Sequence, residues 1–74
     1  MTSAEIKKAM VNFTPVEYKG VVYKKINAYI YRIIINPQTH KYKEVFQLEL
    51  LDKRGQSITI ANADDVKIKE EETN

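Results

Sequence analysis

The hydrophobic pattern of this chain changes period once, at Thr14-Pro15, and that change dictates most of what it can fold into. Before it, Ile6, Ala9, Met10 and Phe13 recur at helical spacing, forming one apolar stripe, while Lys7 and Lys8 face water. Thr2 followed by Glu5 fits a capping box, so the pattern predicts a helix over about residues 3–12. An isolated helix of roughly ten residues is marginal in water, so the stripe must dock on the rest of the chain. Thr14-Pro15 stops the helix, because the residue before a proline is pushed toward extended conformations.

After Pro15 the period is two. Lys19-Gly20 is placed for a type II turn, which makes a hairpin of residues 16–23. Further along, Val22, Ile26, Ala28, Ile30 and Ile34 alternate with Tyr23, Lys25, Asn27, Tyr29, Tyr31 and Ile33. Both faces carry apolar bulk, so this strand either bends around two sides of a small barrel or has its outer face covered. Asn36-Pro37-Gln38-Thr39 fits a type I turn, and Phe46, Leu48 and Leu50 alternate with Val45, Gln47 and Glu49 on the returning strand. Asp52-Lys53-Arg54-Gly55 fits a type I turn closed by a left-handed glycine, the three-residue hairpin loop, which aims Ile58 and Ile60 inward. "NADD" reads as one 3₁₀ turn, and Val66 and Ile68 close the sheet.

The expected strands are 16–18, 21–35, 42–51, 57–61 and 66–69, in a single domain of residues 1–69 followed by a disordered acidic tail at 70–74. The expected core is Ile26, Ala28, Ile30, Phe46, Leu48, Leu50, Ile58, Ile60, Val66 and Ile68. Five strands, a long bent second one and a 3₁₀ turn before the last resemble the SH3-like small barrel. More narrowly, "TSAEIKKA", "PVEYKGVVYKKINAYIYR" and "LLDKRGQSITIANADDVKI" resemble a group of short, functionally uncharacterised proteins of low-GC Gram-positive bacteria and their mobile elements. That resemblance implies a mainly β fold, a five-stranded SH3-like barrel preceded by one short helix. It implies no activity and no site residues.

Composition excludes several functions. At 74 residues the chain is near the lower limit for a self-sufficient core. There is no Cys, hence no disulfide framework and no thiolate metal site, and a reducing cytoplasmic setting is expected. The longest uncharged apolar run, Ile33 to Ile35, is too short to span a bilayer, and residues 1–10 lack the apolar run of a signal peptide. His40 is the only histidine and lies in a polar loop, so no histidine-centred triad or metal site is expected within one chain. The two glycines lie in turns and build no phosphate loop. The Asp64-Asp65 pair is explained by the 3₁₀ turn. No enzyme, cofactor or small-molecule substrate is expected.

What stands out is aromatic residues interleaved with basic ones. Tyr23, Lys25, Tyr29 and Tyr31 fall on one strand face, Arg32 lies beside them, and Lys41, Tyr42 and Lys43 return across the hairpin. These eight residues are the candidate ligand-binding set. Tyrosine is also a preferred strand residue, so a purely structural reading needs no ligand. The favoured functional reading is a protein interface or self-association, because Ile33 and Ile35 extend the tyrosine face into an apolar patch. The alternative is single-stranded nucleic acid, with bases stacked on the rings and Lys24, Lys25, Arg32, Lys41 and Lys43 on phosphates. Against it, the acidic end carrying Asp64, Asp65, Glu70, Glu71 and Glu72 partly offsets that basic segment. Simple counting puts Tyr29 and Tyr31 outward but Arg32 inward, so a bulge near Asn27 would turn the tyrosines inward.

Overall fold

In the computed structural model, which describes residues 1–69, the capping box forms as its residues dictate. The Glu5 N–H donates to Thr2 Oγ1 at 3.2 Å and the Thr2 N–H to Glu5 Oε1 at 3.0 Å. Helix α1 spans Ser3–Val11 and ends just before the expected position. Phe13 adopts φ 53°, and the Thr14 N–H reaches back to the Ala9 carbonyl at 2.9 Å. A left-handed residue followed by such a backward bond ends a helix by itself, so the chain has already turned before Pro15 acts. The expected acidic tail, 70–74, lies outside the described residues.

Six strands follow: β1 Val16–Tyr18, β2 Val21–Tyr23, β3 Lys25–Ile35, β4 Tyr42–Leu51, β5 Ile58–Asn62 and β6 Val66–Ile68. A 3₁₀ turn at Ala63–Asp65 joins the last two, as expected. The strands form two antiparallel three-stranded sheets, β2-β1-β6 and β3-β4-β5, which do not close into a barrel. This corrects the five-stranded barrel expected above. The stretch 21–35 is divided at Lys24, whose N–H donates to the Leu51 carbonyl at 2.9 Å, and the two halves belong to different sheets. Lys19 and Gly20 have φ of 50° and 76°, so the β1-β2 hairpin uses a type I′ turn rather than type II. The primed turn matches the right-handed twist of its strands.

Two one-residue irregularities set the faces of the β3-β4-β5 sheet. In β3, Ile26 pairs with Leu50 and Ala28 with Glu49, leaving Asn27 as a bulge. In the β4-β5 loop, the Gly55 N–H donates to the Asp52 carbonyl as a type I turn requires, but Asp52 then pairs with Ser57, so the loop is one residue longer than expected. Leu51 therefore faces Ile58 and Leu50 faces Thr59. Because side chains alternate with period two, each extra residue exchanges the two faces of the strand beyond it.

The inner face consequently carries Ile26, Tyr29, Leu48, Leu50, Thr59 and Ala61, and α1 and the β2-β1-β6 sheet pack on it through Ile6, Ala9, Val16 and Val66. Of the expected core, Ile26, Leu48, Leu50 and Val66 are buried. Ala28 and Ile30 are only half-buried and lie on the opposite face, as do Ile58 and Ile60, which are 51% and 42% exposed. Phe46 and Ile68 keep the inward register but sit at the margin, exposed. The helix stripe docks as required through Ile6 and Ala9, whereas Phe13 stays exposed.

Two contacts orient the helix. Ser3 Oγ and the Tyr29 hydroxyl share a hydrogen bond at 3.2 Å, and the Lys25 ammonium lies 4.9 Å from the centre of the Phe13 ring. Helix α1 therefore runs antiparallel to β3 along its first half, about 15 Å of helix matching about 13 Å of strand. Beyond Tyr29 the helix gives no cover. There β3 and β4 continue without β5, whose pairing with β4 ends at the Gln47-Asn62 pair. Residues 31–35 and 42–46 thus form a two-stranded arm, in a molecule measuring 55 × 26 × 21 Å.

Candidate functional site

The register of the arm sorts its side chains onto two faces. Tyr31 pairs with Phe46, Ile33 with Glu44 and Ile35 with Tyr42 on the face continuous with the core. Arg32 pairs with Val45 and Ile34 with Lys43 on the other. On the first face the Phe46 ring stands between two tyrosines, 6.0 Å from Tyr29 and 5.2 Å from Tyr31. The Tyr31 hydroxyl donates to Glu44 Oε1 at 3.0 Å, and this bond to a carboxylate raises the phenol above its ordinary pKa.

The eight candidate residues do not form one surface. Tyr23 is half-buried in β2 against the core, and Lys25 is held over Phe13. The bulge at Asn27 turns Tyr29 and Tyr31 to the core side, which corrects the expectation that both rings face away from it. Tyr29 packs against the core, while Tyr31, further along the arm, is 53% exposed. Tyr42 shares the Tyr31 face at the arm's end. Arg32 and Lys43 project from the opposite face, and Lys41 sits in the loop, its carbonyl accepting from the Asn36 N–H at 2.9 Å. Rings and cations are thus segregated.

Sequence counting missed a different surface. The outer face of the β3-β4-β5 sheet carries Ala28, Ile30, Val45, Leu51, Ile58 and Ile60, and no element of the described residues packs on it. The apolar rows are interrupted by Glu49, whose Oε2 accepts from Asn27 Nδ2 at 2.6 Å, and by Gln47, whose Nε2 lies 3.5 Å from Asn62 Oδ1. Arg32 and Lys43 lie at the arm end of the same face. The signal for it was present in the β-branched residues on both strand parities, but which parity faces outward depends on the two irregularities.

Shallow depressions exist at the arm tip, lined by Ile34, Pro37, Tyr42 and Lys43, and where β5 leaves β4, lined by Phe46, Gln47, Asn62 and Asp64. Among the described residues no group of acidic or histidine side chains is arranged to hold a metal ion, and no helix is long and apolar enough to cross a membrane. No protein-family model, curated protein or solved structure matches the chain.

Proposed function

We propose that the chain is a non-catalytic interaction module that self-associates by packing the outer faces of two β3-β4-β5 sheets. The reading rests on one observation: Ile30, Leu51, Ile58 and Ile60 share a sheet face on which nothing described packs. Apolar side chains left on an open sheet face mark interfaces, and two sheets stack face to face at about 10 Å. A second copy suits the face because the charges flanking its centre are complementary, while Lys25, in the outlying Leu51-Ile58 row, has its ammonium over the Phe13 ring. Glu49 lies on one side of the Ile30-Gln47 row, and Arg32 and Lys43 lie on the other. A two-fold axis through that row lays the Arg32 row of one copy over the Glu49 row of the other.

The fold reading goes one step further than two sheets. β2 leads into β3 through Lys24 and β5 leads into β6 through the 3₁₀ turn, a connectivity that supports an SH3-like topology whose two sheets stay open rather than closed into a barrel. The absence of Cys fits a cytoplasmic location. Nucleic acid has less support, since Arg32 and Lys43 stand on the face away from Tyr31 and Tyr42 and the ring face carries Glu44. A stacked base and its phosphate need rings and cations together.

Light scattering across a concentration series tests the reading. The expected result is a dimer that Ile60→Glu converts to a monomer with an unchanged circular dichroism spectrum. A monomer at every concentration would overturn it, as would oligonucleotide binding that weakens steeply with added salt.

A further inference from the structure

We infer that the free edge of β3 over Tyr31–Ile35 is a strand-addition site for an extended polypeptide that alternates apolar and acidic side chains. This site is the strand edge rather than the sheet face described above, and it does not depend on that reading, although Arg32 and Lys43 border both.

Among the described residues β3 is an edge strand whose only ladder partner is β4. The Asn36 N–H donates to the Lys41 carbonyl at 2.9 Å, which fixes the phase of the antiparallel ladder. By alternation, Ile34, Arg32 and Ile30 aim their backbone groups at β4, whereas Tyr31, Ile33 and Ile35 aim theirs at the open edge. On the other side of β4, the Asp52 N–H donates to the Ser57 carbonyl at 3.0 Å, giving the same phase independently. The helix shields this edge only as far as Tyr29, where Ser3 meets the tyrosine hydroxyl. Tyr31 to Ile35 are all exposed.

Natural sheets blunt such edges with proline, a bulge or several charges. Between Ala28 and Ile35 there is no proline, no bulge and one charge, Arg32. An open row of donors and acceptors flanked by apolar side chains on both faces can accept another strand, with main-chain bonds giving affinity and alternate side chains giving specificity.

Charge selects the occupant. An added strand puts alternate residues beside Tyr31, Ile33 and Ile35, where apolar side chains extend the Phe46 and Tyr42 surface. The intervening residues fall beside Arg32 and Ile34, in the rows that end on Val45 and Lys43, where carboxylates meet Arg32 and Lys43. A second copy is disfavoured here. Antiparallel self-pairing centred on Arg32 sets two guanidinium groups opposite each other, and centring it on Ile33 places Arg32 of one copy in the row of Ile34 and Lys43 of the other. Centring it on Tyr31 runs the strand into the helix beside Tyr29.

Fluorescence anisotropy with synthetic octapeptides tests the inference. A peptide alternating valine and glutamate should bind, and one alternating valine and lysine should bind at least about tenfold more weakly. Methylating the backbone nitrogens along one edge of the valine-glutamate peptide should weaken binding about tenfold when that edge faces β3, without touching the protein. Ile33→Pro should weaken it similarly, since the Ile33 N–H is not needed by the β3-β4 ladder. Arg32→Glu should invert the preference between the two peptides. Equal binding of both peptides, indifference to methylation, or no binding of either would overturn the inference. An Ile33→Pro variant that loses dimerisation would assign the edge to a second copy and overturn it too. Ile60→Glu, which addresses the sheet face and touches neither the β3 edge nor Arg32, should not weaken peptide binding, so the two readings fail separately.

Discussion

The base of the molecule and its arm are made of the same strands and differ in what lies across from them. In the base, Leu48 and Leu50 of β4 are buried beneath α1 and the small sheet. At the far end of β3, the strand paired with β4, Ile34 and Ile35 are 57% and 58% exposed. Isoleucine content and strand propensity are, if anything, higher in the arm. Burial is a property of the opposing layer, not of the residue, and the arm extends past the end of the helix and past the last residue of β5. The base is therefore a core and the arm a surface.

Truncation at matched positions should separate the two regions most. Leu48→Ala removes a side chain with no exposed surface and should cost roughly 2 to 5 kcal/mol, enough to unfold a domain this small. Ile34→Ala should change stability by less than about 0.5 kcal/mol. Urea midpoints of the two variants check this, and comparable losses would mean that the arm is packed after all.

Removing the layer itself is the next test. Deleting residues 1–13 takes Ile6 and Ala9 out of the core and should lower stability by at least about 1.5 to 3 kcal/mol, the value of burying one large side chain. The uncovered first half of β3 should then bind a hydrophobic dye. An unchanged melting temperature would show that the helix supports nothing.

The smallest effect distinguishes the regions by pH. In the base, the Thr2 N–H holds Glu5 below its ordinary pKa, and the Gln56 N–H at 2.8 Å does the same for Asp52. Their contributions are present above the unfolded-state carboxylate values and are lost as pH falls through the lower folded values. In the arm, Tyr31 is raised by its bond to Glu44, so its contribution is present below the unfolded value near 10 and is lost as pH rises through the folded value. Acid should loosen the helix start and the β4-β5 turn, alkali the arm. Glu5 and Tyr31 are exposed and Asp52 is only half-buried, so the changes are small and best followed by NMR signals of the flanking amides. Tyr31→Phe should abolish the alkaline step at Glu44, and a step that persists would place its cause elsewhere.

Much of the local structure was legible in the sequence. Thr2 and Glu5 specify the helix start, Gly55 specifies the left-handed corner of its turn, and Leu48 and Leu50 point inward as their alternation requires. The open sheet face was not legible. The eight aromatic and basic candidates are scattered over both faces, and Ile58 and Ile60, assigned to the core by counting, lie on the open face instead. Asn27 looks like any strand residue, and Lys53 to Gln56 fits a three-residue loop as well as the longer one that forms. The inward count of Arg32 raised a bulge near Asn27 without requiring it, and nothing local marks the extra residue in the loop.

What the sequence determined by itself was the set of short-range choices: where the helix begins, where the turns fall, and that the rest alternates as strands. These depend on caps, glycines and prolines acting within a few residues. What only the tertiary structure decided was which alternate residues face the core. Pairing register is settled by all the cross-strand contacts together, and with a side-chain period of two, the single extra residues at Asn27 and in the 53–56 loop exchange inside for outside along everything that follows.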